Sequence, residues 1–319
     1  MKDRLGREID YMRISITDRC NLRCGYCMPE CGVPSVPHDM ILRFDEIVRL
    51  VKIFCSMGIK NVKITGGEPL VRKGAVDLIK DIKSVEGIEK VSITTNGILL
   101  SENLNALAEA GIDSINISLD TLSKQKYNEL TGFDGLDTVI KTIDECRAFP
   151  EIKVKINAVT MADYNRDEIC NLADFAAKAG ATLRFIEMMP LGLGTGFGGY
   201  SQDEIMTVLE EAYGPAKTIK EKVGSGPGKY YSFEGLEGRI GFISPMSHKF
   251  CGSCNRIRLT SEGLLRPCLG SDVGIDLRKP MREGASDEEL ARIIHDGIMY
   301  KPAGHCFETT DSLMSKIGG

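Results

Sequence analysis

Through the first two-thirds of the chain, short β-branched runs alternate with stretches whose apolar positions recur at helical spacing. The short runs are Tyr11–Thr17, Val62–Thr65, Lys90–Thr94, Ser114–Leu119, Ile152–Val159 and Thr182–Glu187. Between them fall helix-like segments near Asp45–Met57, Gly74–Ser84, Ser101–Ala110, Gly135–Ala148 and Asn165–Ala179. Such alternation predicts a parallel sheet, doubly wound or closed into a barrel. Six strand runs fall short of a full barrel, so the expected fold is α/β, an incomplete (β/α)6 barrel of the TIM type.

Side chains alternate faces along a strand, and these strands have two unlike faces. One is apolar, as in Met12, Ile14 and Ile16 or Ile115, Ile117 and Leu119. The other carries Arg13, Ser15 and Thr17, then Lys63 and Thr65, Thr94, Asn116, Ser118 and Asp120, and Lys155 and Asn157. A packed parallel sheet is normally apolar on both faces. A polar inner face on strand after strand therefore predicts an open lumen that holds a polar ligand. After about residue 192 the texture changes to glycine-rich connections, a helix at Gln202–Tyr213, a hairpin at Tyr230–Phe233 and Arg239–Ser244, and a last helix near Asp287–Tyr300. The expected division is residues 1–220 as the partial barrel and 221–319 as a smaller auxiliary region.

Lys and Arg total 40 against 45 Asp and Glu, a balance of −5 that argues against general binding to nucleic acid or a membrane surface. No apolar run approaches membrane-spanning length and the first ten residues do not read as a signal peptide, so a cytoplasmic location is expected. Eleven cysteines is high for such a protein, and disulfides are rare in that compartment. Six of them fall into two tight groups, which turns the question to metal or redox chemistry.

Cys20-x3-Cys24-x2-Cys27 follows the first strand, where α/β barrels build their sites. Thiolates at this spacing suit an iron–sulfur cluster with one iron left open, although a zinc knuckle short of a ligand has a similar signature. Cys251-x2-Cys254-x13-Cys268 again offers three thiolates, with His248 and Cys306 as candidates for a fourth ligand of zinc. Cys31, four residues after Cys27, is a weaker candidate ligand. Next to the second group, extended backbone through Asn255-Arg256-Ile257-Arg258 would point both arginines to one side, and paired Arg forks suit phosphate.

Cys-x3-Cys-x2-Cys with Tyr26 before the last cysteine, and Gly66-Gly67-Glu68-Pro69 at the end of the second strand, resemble the motifs of the radical S-adenosylmethionine enzymes. That resemblance implies that the open iron chelates the amino and carboxylate groups of S-adenosylmethionine, whose reductive cleavage yields a 5′-deoxyadenosyl radical. Further motifs are Asp18-Arg19-Cys20-Asn21, Thr94-Thr95-Asn96-Gly97, Asn116-x-Ser118-Leu119-Asp120, Arg184-Phe185-Ile186-Glu187, the Cys251 segment and the terminal Gly318-Gly319. Together they resemble, over essentially the whole chain, the family of radical enzymes that cyclise GTP at the start of molybdenum cofactor biosynthesis.

The resemblance implies two [4Fe-4S] clusters, held by Cys20, Cys24 and Cys27 and by Cys251, Cys254 and Cys268, the second with an open iron facing the guanine base. It assigns Tyr26, Gly67, Ser118 and Met189 to S-adenosylmethionine, and Arg13, Lys63, Thr94, Lys155, Arg256 and Arg258 to GTP. At position 63 the family often has Arg, and Lys keeps the charge without the bidentate fork. Gly318 and Gly319 are expected to reach into the active site as a tail needed for activity. Expected partners are an electron-donor protein, cyclic pyranopterin monophosphate synthase as recipient of the product, and a second copy in a homodimer; neither nucleic acid nor membrane is expected. Two other readings stay open: another radical enzyme with an auxiliary cluster, and a non-enzymatic iron–sulfur carrier or zinc module.

Overall fold

The computed structural model describes residues 1–34, 36–221, 223–305, 307 and 314–317, with 315 and 316 by backbone alone. Cys306, Gly318 and Gly319 lie outside the described residues. Strands β1 (Tyr11–Ser15), β2 (Asn61–Thr65), β3 (Lys90–Thr95), β4 (Ser114–Ser118), β5 (Lys153–Thr160) and β6 (Thr182–Glu187) lie side by side in chain order, all parallel. Helices α1 (Phe44–Ser56), α2 (Ala75–Lys83), α3 (Leu100–Glu109), α4 (Lys124–Thr131), α5 (Leu136–Glu145) and α6 (Ile169–Lys178) connect them. This is the incomplete (β/α)6 barrel that the alternation predicts.

The apolar outer face makes the core: Met12, Ile14, Val62, Ile64, Ile115 and Ile117 are all buried beneath the helices. Helix α4 has no counterpart among the expected elements. Its sequence is mostly polar, with Tyr127 and Leu130 as its apolar contacts, so no helical hydrophobic stripe announces it.

The rest of the chain builds both edges of the same sheet. After α7 (Gln202–Tyr213) come β7 (Lys217–Ile219), β8 (Lys229–Phe233) and β9 (Leu236–Ile243), and β9 lies parallel to β6. At the other edge β10 (Arg256–Leu259) lies parallel to β1, followed outward by β11 (Leu264–Arg266) and β12 (Ile275–Asp276). The order is β12-β11-β10-β1-β2-β3-β4-β5-β6-β9-β8-β7. Three helices follow, α8 (Arg278–Arg282), α9 (Asp287–Met299) and α10 (Met314–Ile317). Capping boxes at Ser201/Glu204 and Ser286/Glu289 start α7 and α9. Helix α9 is fastened near α1 by Arg49, which donates to Asp287 at 2.7 Å. Among the described residues no helix is long and apolar enough to cross a membrane.

Ile64 is fully buried between the sheet and its helices. Ile64→Ala is expected to lower stability by about 2–5 kcal/mol through lost burial and a residual cavity. Urea denaturation followed by circular dichroism checks this, and a loss well under that range would mean the site collapses around the change.

Candidate active site

One cavity of about 290 Å³ occupies the lumen, and both cysteine groups open onto it. The first group sits in the loop after β1, and the polar helix α4 holds that loop. The backbone N–H of Arg23 donates to Thr131 O at 2.8 Å and that of Gly25 to Leu130 O at 3.0 Å. Within the loop, the N–H groups of Cys27 and Met28 both donate to Cys24 O. The Gly-Gly-Glu-Pro turn after β2 packs on the residues just before Cys20. A Cβ on Gly67 would lie 2.3 Å from Arg19 O, and one on Gly66 would lie 2.7 Å from Thr17 O. Glycine is required here because backbone passes against backbone.

Glu68 closes that turn. It accepts hydrogen bonds from Leu70 N, Asn96 N and Thr95 Oγ1 at 2.7–3.0 Å, and burial pushes its carboxyl up to about 7 despite them. Asn96 in turn donates to Asn21 Oδ1 at 2.8 Å and to Cys20 Sγ at 3.8 Å. On the far side of the loop Tyr26 OH donates to Asp120 at 2.9 Å, while the Val159 N–H donates to the same carboxylate at 2.7 Å. Burial raises Asp120 to about 6. The thiols of Cys24 and Cys27 are pushed up by burial and then by neighbouring thiolates and Asp120, Cys27 to about 12. A bound metal group reverses that penalty, since coordination deprotonates a thiol outright. Three half-buried thiols of one loop, beside a turn that only glycine allows, fit an iron–sulfur cluster.

The second group has a different electrostatic setting. Burial alone would raise the Cys254 thiol, but Arg256 and Lys301 beside it bring it down to about 7. Arg256 reaches its sulfur at 3.8 Å and lies over the Phe250 ring. Three cysteines on one cavity, with two cations beside Cys254, fit a metal cluster as well. His248 is not part of it: its ring meets Asp203 on α7 at 3.0 Å. Cys31 is exposed and donates to Gly32 O instead of joining the first group. No three His, Cys, Asp or Glu side chains among the described residues converge closely enough to share a single ion.

The wall between the two groups is cationic. Parallel register sets Arg13 of β1 directly abreast of Lys63 of β2 and Arg258 of β10. Burial and then Arg184, Arg13, Lys155 and Arg256 drive Lys63 well below its usual range, and Arg258 is pushed the same way by burial, Arg13 and Arg256. Arg13 falls to about 10, mainly through burial. Thr94 Oγ1 and Arg256 Nε are buried atoms without hydrogen-bond partners among the described residues.

Of the residues expected from sequence, Tyr26, Gly67, Ser118, Met189, Arg13, Lys63, Thr94, Arg256, Arg258 and all six grouped cysteines line this cavity. Lys155 is not among the lining residues: it is buried on β5, its Nζ only 2.7 Å from where a Cβ on Gly224 would stand. Arg184 was not expected as a site residue, yet it lines the lumen and is buried. Its guanidinium donates to Asn157 Oδ1 at 2.6 and 2.9 Å and to Asn116 Oδ1 at 2.8 Å. Alternation along β6, between buried Leu183 and Phe185, marks Arg184 as inward-facing.

A barrel of this kind with a three-cysteine loop after its first strand defines a class, and the radical SAM superfamily model matches residues 14–176. In fold the chain is similar to Streptococcus suis SuiB, solved bound to S-adenosylmethionine, with a TM-score of 0.65 at 17% identity over 94% of this chain and 73% of that one. The Molybdenum Cofactor Synthesis C model matches residues 181–307. The GTP 3′,8-cyclases of Clostridium perfringens and Heliobacterium modesticaldum are 47% and 45% identical, each over the full length of both chains. Molybdenum cofactor biosynthesis protein 1 of Dictyostelium discoideum is 43% identical over 96% of this chain and 49% of its own length. The chain belongs to the GTP 3′,8-cyclase family.

A bound polyanion raises the depressed Lys63 and Lys155 toward their usual values, so binding takes up protons and weakens as pH rises through their folded range. Lys155 stands at about 8. The affinity for inorganic triphosphate, measured calorimetrically at constant ionic strength, is expected to fall between about pH 7 and about pH 9. Lys63→Gln should weaken binding and flatten the profile; a wild-type affinity independent of pH would show that the anion does not change the charge of either lysine.

Proposed function

We propose that the chain cyclises GTP to (8S)-3′,8-cyclo-7,8-dihydroguanosine 5′-triphosphate in a radical S-adenosylmethionine-dependent reaction, the first step of molybdenum cofactor biosynthesis. The observation that carries this reading is the row Arg258–Arg13–Lys63, set in register on one wall of a cavity that both cysteine groups share. Like charges side by side in a sheet are unfavourable, and a triphosphate between them turns repulsion into attraction.

In this reading Cys20, Cys24 and Cys27 hold one [4Fe-4S] cluster and Cys251, Cys254 and Cys268 a second. Reductive cleavage of S-adenosylmethionine at the first supplies a 5′-deoxyadenosyl radical, the group's own chemistry. The protein's part is to place the reactants and exclude water. Tyr26, Gly67, Ser118 and Met189 form the S-adenosylmethionine end, with Tyr26 fixed by Asp120. Arg13, Lys63, Thr94, Arg256 and Arg258 clamp the triphosphate; Thr94 Oγ1 and Arg256 Nε, which lack partners among the described residues, are donors suited to its oxygens. Lys155 adds positive charge from β5. In this reading residues 1–220 hold the cofactor end and one side of the substrate site, and 221–319 supply its other side through Arg256 and Arg258. A cytoplasmic location, an external electron donor, transfer of product to cyclic pyranopterin monophosphate synthase and a homodimer belong to the same reading.

The test is anaerobic incubation of reduced, reconstituted protein with S-adenosylmethionine and GTP. The expected products are 5′-deoxyadenosine and the cyclised nucleotide; 5′-deoxyadenosine with GTP untouched would sink the reading. Arg256→Ala and Arg258→Ala are each expected to lower turnover roughly 10- to 100-fold, the equivalent of losing charged hydrogen bonds of about 1.5–3 kcal/mol. Iron content should stay the same, and an equal loss of iron would make these arginines structural.

A further inference from the structure

The three cysteines of the second group come from two stretches of chain, the turn before β10 and the end of β11. Two buried cations that the reaction leaves unused reach every one of these segments. Lys301, just beyond α9, is 2% exposed. Its Nζ donates to Arg256 O at 2.7 Å and to Pro267 O at 2.6 Å, carbonyls two residues after Cys254 and one before Cys268. Arg7 reaches the third cysteine, donating to Cys251 O at 3.0 Å. Its other nitrogen donates to Lys301 O at 3.2 Å and Pro302 O at 2.8 Å, so the two cations are tied to one another. Asp3 pairs with Arg7 at 2.6 Å and is itself saturated by the N–H groups of Leu5 and Arg7.

The charges do not cancel. Arg7 has Asp3, but Lys301 has no carboxylate partner among the described residues; the groups that favour its charged form are Cys254 and Cys268. A buried ammonium with no carboxylate beside it is costly, and a neutral side chain of similar length would fill the same space. A permanent counter-charge of thiolates accounts for it.

We propose that Arg7 and Lys301 form a buried clasp that positions the second three-cysteine set, and that Lys301 raises the reduction potential of the cluster bound there. Net charge and hydrogen bonding around the sulfurs are the protein's means of setting such potentials. This rests on the second-cluster reading above. Lys301 is a positioning residue here, since it acts through the cysteines.

The test uses the full chain, reconstituted anaerobically, as wild type, Lys301→Gln, Lys301→Arg and Arg7→Gln. Iron and sulfide are counted, and each cluster's midpoint potential is read by a redox titration monitored by electron paramagnetic resonance. Signals are assigned by comparison with Cys24→Ala and Cys254→Ala. Lys301→Gln is expected to move the second cluster to lower potential and to lose its iron faster to a chelator, while the first cluster keeps both its iron and its potential. Lys301→Arg should return the potential toward wild type. Full iron and an unchanged second potential in Lys301→Gln would overturn the proposal. If that variant fails to hold either cluster, Arg7→Gln decides, because it leaves the ammonium in place. Faster iron loss confined to the second set then supports the clasp, and unaltered retention overturns it. A wild type holding only one cluster's iron would instead refute the second-cluster reading.

Discussion

Three cationic side chains lie abreast on neighbouring strands, and parallel register gives them no means of diverging. Arg13 stands between Lys63 and Arg258 in the sheet, with Arg184 and Arg256 on the same lumen. Repulsion between charges at such spacing is far from negligible in a partly dry cavity. It is tolerated because the reverse face of the same strands is buried without exception at Met12, Ile14, Val62, Ile64, Ile257 and Leu259. Each strand thus ties a favourable outer face to an unfavourable inner one. The fold cannot relax the second without dismantling the first, so the lumen stays poised for a polyanion.

The two cysteine sets share one cavity but stand in opposite fields. Around Cys24 and Cys27, burial and neighbouring anions disfavour charge on the thiol; at Cys254, Arg256 and Lys301 favour it. Identical donor atoms therefore stand in environments that differ by the sign of the nearest fixed charge.

Much of this was readable in the chain because strand alternation is a local property. Six strands, their apolar side and the lumen cations at 13 and 63 follow from a period of two. What escaped is what depends on distant partners or weak local signals. Helix α4 is nearly all polar, yet its last carbonyls hold the first cysteine loop. Strand β10 is four residues long and charged at alternate positions, so it resembles a surface segment until its pairing with β1 is known. Lys155 lies on the face expected of it, but its approach to the loop at Gly224 is a contact between distant segments that no periodicity reports. Arg7 and Lys301 meet across 294 residues, beyond any periodicity.

The sheet order has a consequence for the life of the molecule before it is complete. Strand β1 needs β10 on its open side, and the bond between Asp10 and Asn255 beside that pairing spans 245 residues. Contacts so remote close slowly and late. A chain emerging from the ribosome exposes its first cysteine loop long before the strand that seals that side of the barrel has been made. The loop that carries Cys20, Cys24 and Cys27 therefore gains that wall only in the finished chain.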